Sequence, residues 1–297
     1  MTTEPKPAPQ IDYQVIDIHV HIMPLEMLKP AARAAIESTQ PDLARLQALS
    51  SDPERLIAYM DENSIEWLGM VNYLSPEVIG YTEAANDYSA KFAAHYPHRL
   101  IPYGGVDPRL TPNMAEQMDR LLGDLQLKAI KLHPPHQLFN VNDYLFKPEL
   151  HGLTTVYEKC IEYNVPVMVH TGTSVFKGAR NRFANPMPID DVAVDFPDLK
   201  IIDAHCGRPL YTDTSFFLLR RHPNVYCDVS SVPPQAIPIY YPWLERVADK
   251  AMFGSDWPGP GIRDIGQNIR EFLELELSDE IKRKILRENA LKVFNLS

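Results

Sequence analysis

Two histidines, His19 and His21, follow Asp17 in a stretch whose intervening residues are all branched aliphatics. In a β-strand, side chains two apart share a face. This spacing therefore predicts Ile16, Ile18, Val20 and Ile22 on one side and three polar groups on the other. Two imidazoles so placed can hold one metal ion. Three more residues of suitable chemistry close later apolar runs. His170 ends Val-Pro-Val-Met-Val-His, His205 ends Ile-Ile-Asp-Ala-His, and Asp256 follows Met-Phe-Gly-Ser. Imidazole nitrogens and a carboxylate oxygen form the donor set that borderline divalent metals prefer, and a catalytic site of this kind keeps one position open for water. A single histidine at a strand end is more often a satisfied core residue, so the weight lies in the combination.

Something must bring together five residues spread over nearly the whole chain. Short apolar stretches at 15–22, 67–73, 100–106, 128–132, 166–170, 200–205, 224–229 and 250–253 read as eight strands. Between them, 53–62, 75–95, 112–125, 148–163, 210–221, 235–247 and 263–273 carry helical spacing, several opening on a proline suited to a first helical turn. Residues 278–286 and 288–294 read as a terminal helical pair, with Ser278 as N-cap and Glu280–Lys284 as an i,i+4 pair. Repeated β-then-α units imply a parallel sheet. At 297 residues, closure into a single (β/α)8 barrel is the economical α/β fold, with an open doubly wound sheet as the alternative. A barrel gathers the C-terminal ends of all its strands around one opening, which is where the five residues are expected to meet. Two long connections, 24–52 and 171–195, are expected there as lid or substrate-contacting insertions.

Residues 1–10 form a Pro-rich polar lead and are expected to be a flexible tail ahead of one catalytic domain, 11–297. A net charge of −10 without any run of Lys or Arg argues against nucleic acid as a partner. No stretch reaches the roughly 18 apolar residues of a membrane helix, and the N-terminus lacks a signal-peptide pattern, so no membrane contact and a cytoplasmic location are expected. Cys160, Cys206 and Cys227 are widely spaced in apolar surroundings and read as reduced, buried thiols.

His-x-His on the first strand, single histidines ending the fifth and sixth, Gly254-Ser255-Asp256-Trp257-Pro258, and the closing Arg287-Glu288-Asn289-Ala290 occur in this order. The combination resembles the amidohydrolase-related proteins of the amidohydrolase superfamily, in the branch of aminocarboxymuconate-semialdehyde decarboxylase and its hydrolase and hydratase relatives. The resemblance runs from about Ile16 to Leu296. It implies a barrel with one divalent ion, zinc in the best-known relatives, held by His19, His21, His170 and Asp256. His205 would stand beside the activated water as general base and then general acid, with Asp256 sharing the proton handling. Asp17 is expected deeper in the barrel, supporting a ligand or the strand itself.

Lys131 and His133 share a face at the end of the fourth strand, and Arg208 follows His205 at a helix entrance. In binuclear members of the superfamily a carboxylated lysine on this strand bridges two metals. The single-metal branch leaves Lys131 a structural or substrate role instead, with Lys131 or His133 meeting an anionic substrate. Arg208 could grip a carboxylate with its guanidinium, with Arg180 and Arg182 as weaker candidates. Trp257 reads as packing beneath Asp256. The leading expectation is a metal-dependent hydrolase activating water against a small carbonyl-containing or carboxylated metabolite. The alternative is a decarboxylase of an aromatic or unsaturated acid using the same site. A metal-free barrel that binds an anionic metabolite is the reading of a different class. The resemblance also points to a homodimer, for which the aromatic run 238–243 offers a surface.

Overall fold

The computed structural model describes residues 11–40 and 42–297, so the expected tail at 1–10 lies outside the described residues. Eight parallel strands stand side by side in chain order. They are β1 (Val15–Val20), β2 (Ile65–Met70), β3 (Leu100–Gly104), β4 (Ala129–Leu132), β5 (Val167–His170), β6 (Ile201–Ala204), β7 (Val225–Asp228) and β8 (Ala251–Met252). All eight expected strands are present. The seam between the last and the first is closed by Ile18 N–H on Phe253 O (3.1 Å), Asp256 N–H on His19 O (2.7 Å) and His21 N–H on Trp257 O (2.7 Å). Val20 and Trp257 form a parallel bridge across it. The sheet is thus an eight-stranded barrel with helices between its strands, and the doubly wound alternative falls away.

The apolar residues divide into two shells. Inside the barrel, Ile16, Ile18, Tyr103, Met168, Ile202 and Met252 pack together with Ala290, Val293 and Phe294 of the last helix, Asn289–Phe294. That helix plugs the N-terminal end of the barrel, with the Phe294 ring 5.9 Å from Tyr103. Outside, Val20, Leu68, Leu132, Val169 and Phe253 meet the helices through residues such as Leu56, Leu153, Leu218 and Phe272.

The expected alternation along β1 is interrupted. Ile16 and Ile18 belong to the inner shell, whereas Val20 and Ile22 belong to the outer one. The pairing of β1 with β2 shifts register between Asp17 and Val20. One irregular step in a strand moves every later side chain to the other face, which is how His19 and His21 come to line the barrel mouth after two inward isoleucines. Asp17 is parted from them. It is fully buried and accepts the backbone N–H of His19 and of Ser255, each at 3.0 Å.

Helix Pro53–Glu62 forms as expected, with proline in its first turn and the Asp52 carboxylate capping the N–H groups of Glu54 and Arg55. The segment expected to be helical from 75 is helical only over Ala84–Ala93. Ser75 pairs with Tyr81 across a loop, and Gly80 there takes φ +105°, outside helical space. Likewise 235–247 breaks into short turns at Pro234–Ala236, Ile237–Tyr240 and Leu244–Val247, because the prolines at 238 and 242 remove backbone donors. This also corrects the aromatic surface: Tyr241 and Trp243 are buried, leaving Ile239 as the exposed large apolar side chain of that run. At the C-terminus, Ser278 caps the N–H of Ile281 and Lys284 pairs with Glu280 at 2.9 Å. The expected pair of helices is one winding run, joined through a π-turn at Lys284–Glu288. Among the described residues no helix is long and apolar enough to cross a membrane.

Candidate active site

The C-terminal ends of the strands surround a cavity of about 320 Å³. His19, His21, Lys131, His133, His170, His205, Arg208 and Asp256 all line it, so the barrel brings together every one of these sequence-selected residues. Arg180 and Arg182 are exposed outside the lining, and the Arg182 guanidinium lies 4.7 Å over its neighbour's ring, Phe183. Both long insertions reach the mouth. The first forms helices Pro30–Thr39 and Leu43–Ser51 and presents Ile36 and Thr39, and the second presents Thr173 to Phe176.

Backbone geometry at the strand ends is specialised. His205 and Asp256 both take left-handed φ, 68° and 64°, which is uncommon for residues with a Cβ and tends to cluster at functional sites. Gly254 lets β8 approach β1, since a Cβ there would meet His19 Cβ at 2.7 Å and Ser230 Cβ at 3.1 Å. Trp257 is buried behind Asp256 as expected, with its indole N–H on Arg263 O at 3.3 Å.

Hydrogen bonds fix where the imidazole protons lie. His21 Nδ1 faces the carbonyl of Val71 at 2.8 Å, and a carbonyl can only accept, so that nitrogen carries a proton. His21 Nε2 then points at Asp256 Oδ1 across 3.1 Å, and His19 Nε2 is 3.5 Å from the same oxygen. Only a cation, whether a proton or a metal ion, can satisfy a bare nitrogen and a carboxylate facing each other. His19 gives its Nδ1–H to Asp228 Oδ2 at 2.8 Å, which leaves Nε2 buried with no partner. His205 Nδ1 meets Ser230 Oγ at 2.7 Å, and its Nε2 meets His170 Nδ1 at 3.1 Å. His170 Nε2 is likewise buried and unpartnered. Donor atoms of His19, His205 and Asp256 all lie within 4.8 Å of one another. His170 stands beside that trio through its contact with His205. Unpartnered buried lone pairs and a carboxylate are a donor set that fits a borderline divalent cation.

Burial, helped by the nearby Lys131 charge, holds His19 below its ordinary range against the opposing pull of Asp228. Burial also pushes His133, His170 and His205 well down, with neighbouring cations adding to it. Neutral imidazoles are the form that ligates metal. Burial would raise Asp256, but the His21 hydrogen bond and the charges of His19, His21 and Arg208 outweigh it, so the carboxyl is kept ionised. Lys131 is fully buried with Nζ unpartnered, and burial lowers it to about 8 despite Asp228 and Asp256. Beside it His133 Nδ1 and Arg208 Nε also lack partners, while the rest of the Arg208 guanidinium is anchored on Thr173 O and Ser231 Oγ.

Sequence reasoning missed Asp228 and Ser230, which bind the site histidines from behind. It also missed His136, held between the Tyr73 hydroxyl (2.9 Å) and Ser174 Oγ (2.7 Å) and stacked 3.7 Å from His133. Asp228 had a usable signal, because it ends the seventh strand just as His170 ends the fifth. His136 had none, since it sits in a four-residue turn, Pro134–Gln137, set by its surroundings.

A family model described as amidohydrolase matches residues 16–296. No curated protein matches the chain. Among solved structures, an uncharacterised TIM-barrel protein from Bordetella bronchiseptica is 22% identical over 95% of this chain and 99% of that one, with a TM-score of 0.73. The 4-oxalomesaconate hydratase from Rhodopseudomonas palustris is 20% identical over 95% and 96%, with a TM-score of 0.63. The 5-carboxyvanillate decarboxylase from Novosphingobium aromaticivorans, complexed with manganese and 4-hydroxy-3-methoxy-5-nitrobenzoic acid, is 18% identical over 96% and 97%, with a TM-score of 0.62. These likenesses show the shared barrel fold.

Proposed function

This chain belongs to the amidohydrolase family, and we propose that it is a metal-dependent hydrolase acting on a small carbonyl-containing, anionic metabolite. The observation that carries the proposal is the convergence of His21 Nε2 and His19 Nε2 on Asp256 Oδ1, at 3.1 and 3.5 Å, an arrangement that calls for a cation. His19, His21 and Asp256 would hold the ion from the two sides of the barrel seam. His170 is assigned as the fourth ligand because its Nε2 lone pair is free, whereas both nitrogens of His205 are in hydrogen bonds. Zinc suits these nitrogen and oxygen donors, and manganese is the ion in the decarboxylase neighbour. When bound, a divalent ion supplies Lewis acidity that polarises a carbonyl and makes water a nucleophile near neutral pH.

The protein's own groups do the rest. His205 takes up the proton at Nε2, in place of the His170 Nδ1 contact made there, and returns it to the leaving group, with its Nδ1–H steadied by Ser230. Lys131 and Arg208 offer unpartnered N–H groups to a carboxylate and so orient the substrate, with the unpartnered His133 Nδ1 beside them. Leu28, Ile36, Ile79 and Phe176 give the cavity apolar walls that exclude bulk water from the reacting centre.

Removal of CO₂ from an aromatic or unsaturated acid is the second reading. The carboxylate-binding cations and the manganese-containing decarboxylase of the same fold favour it. Incubation with carboxylated aromatics, lactones and β-keto acids, following CO₂ release and product mass, separates the two. Protein purified without added ions is expected to carry about one equivalent of divalent metal. Below roughly a tenth of an equivalent, with no turnover restored by Zn²⁺ or Mn²⁺, the metal-free binding barrel would stand instead. His170→Ala is expected to lose metal. His205→Asn should keep it and lose at least about a hundredfold in turnover, the usual weight of a general base, and full turnover in that variant would overturn its role.

A further inference from the structure

Asp228 ends β7, fully buried, and both of its carboxylate oxygens are occupied. Oδ2 accepts the His19 Nδ1–H at 2.8 Å. Oδ1 accepts the backbone N–H of His205 and of Ser230, each at 3.1 Å, and also the Ser230 hydroxyl. A hydroxyl that donates its proton to Asp228 can only accept from His205, so the Ser230 Oγ contact at 2.7 Å requires a proton on His205 Nδ1. One carboxylate therefore dictates the proton position on two rings, directly on His19 and through Ser230 on His205. In both cases it puts the proton on Nδ1 and leaves Nε2 as an acceptor, unpartnered on His19 and facing His170 Nδ1 at 3.1 Å on His205.

We propose that Asp228, extended by Ser230, is the positioning residue that sets the working tautomers of His19 and His205. The inference rests on the reading of His19 as a metal ligand and of His205 as the base. Each ring could otherwise carry its single proton on either nitrogen, and a proton on Nε2 of His19 occupies the lone pair a cation needs. A buried carboxylate orients both rings before any substrate arrives, and its charge favours the imidazolium that His205 becomes on taking a proton, at a separation of 4.0 Å.

Asparagine at 228 distinguishes this from a packing role, because it keeps the size and the hydrogen-bond count. Its carbonyl must face the two backbone N–H groups, so its NH₂ faces His19 Nδ1 and makes that nitrogen an acceptor. In Asp228→Asn the His19 proton is expected to move to Nε2. Assigned long-range ¹H–¹⁵N spectra of the metal-stripped protein read that move directly. Zn²⁺ affinity, measured by competition with a chelating dye, should fall about ten- to hundredfold or more. Ser230→Ala removes only a longer 3.3 Å contact from His19 Nδ1 and keeps its 2.8 Å bond to Asp228, so it should leave Zn²⁺ affinity unchanged, scramble the His205 tautomer and lower kcat at constant KM, with Ser230→Thr restoring both. If Asp228→Asn keeps the Nδ1–H tautomer on His19 and wild-type Zn²⁺ affinity, the proposal is wrong. Should Asp228→Asn fail to fold, an unaltered His205 tautomer in Ser230→Ala overturns it. Tautomers that behave as stated in a wild-type protein that binds no metal would remove the metal reading alone.

Discussion

Lys131 shows how much one side chain's surroundings decide. Its amine is wholly buried without a hydrogen-bond partner and lies in the cavity wall near Asp228 and Asp256. Burial lowers its pKa to about 8, so it is an ammonium below that pH and a neutral amine above it. If it anchors an anionic substrate, the KM of wild-type enzyme should rise as pH passes upward through about 8. Lys131→Met should show a KM raised about tenfold or more near pH 7 and no such rise. Steady-state kinetics from pH 6.5 to about 9 check this, and an identical KM profile in the variant would exclude the role. The histidines at strand ends were legible because their residue type and position together imply chemistry. Asp228 was harder to read, since a single acid closing Val-Tyr-Cys-Asp looks like any polar strand end until its partners are visible. The β1 register step was invisible for a physical reason: local alternation says nothing about where a neighbouring strand forces an extra residue.

Among the elements, the helix Pro30–Thr39 at the cavity mouth is tied at both ends, and at its start the Lys29 N–H donates to Ile79 O at 2.8 Å. It buries Ala32 and lays Ile36 and Thr39 along the cavity. Gln40, the residue after it, is buried and donates its amide N–H groups to Pro258 O (2.8 Å) and Ile262 O (2.9 Å), in the loop that follows Asp256. Gln40→Ala leaves two carbonyls without these donors, a local cost of about 1–3 kcal/mol. The expected result is faster proteolysis and hydrogen exchange around residues 30–40 and a raised KM, with thermal unfolding of the barrel little changed. Protection equal to wild type would show that the latch does not hold the lid. Strands and most helices were readable because each couples a short apolar run to a turn signal. Segments 75–95 and 235–247 misled because apolar spacing persists through Gly80, which takes φ +105°, and through the prolines at 238 and 242, which lack the N–H that would continue a preceding helix.

For the molecule as a whole, the barrel wall carries buried acids that tie stability to pH. Asp203 on β6 accepts hydroxyl hydrogen bonds from Thr171 and Ser215, yet burial raises its pKa to about 7. A folded-state pKa above the unfolded value means that its contribution is fully present below about pH 4 and is lost as pH rises through about 7. Urea unfolding should therefore show stability declining from pH 5 to 8 by at most about 1.4 kcal/mol per pH unit from this group, and Asp203→Asn should flatten the decline. Equal slopes would mean that Asp203 does not carry the effect.

The seam where β8 meets β1 has a further consequence. His19 and His21 come from near one end of the chain and Asp256 from near the other, and Gly254 makes their approach possible. An ion held by these three would act as a clasp on a ring. Loading it and closing the circle become one equilibrium, so each favours the other by the same free energy. A fragment lacking the last strand would then forfeit both the clasp and the closed ring, however well its remaining strands pair.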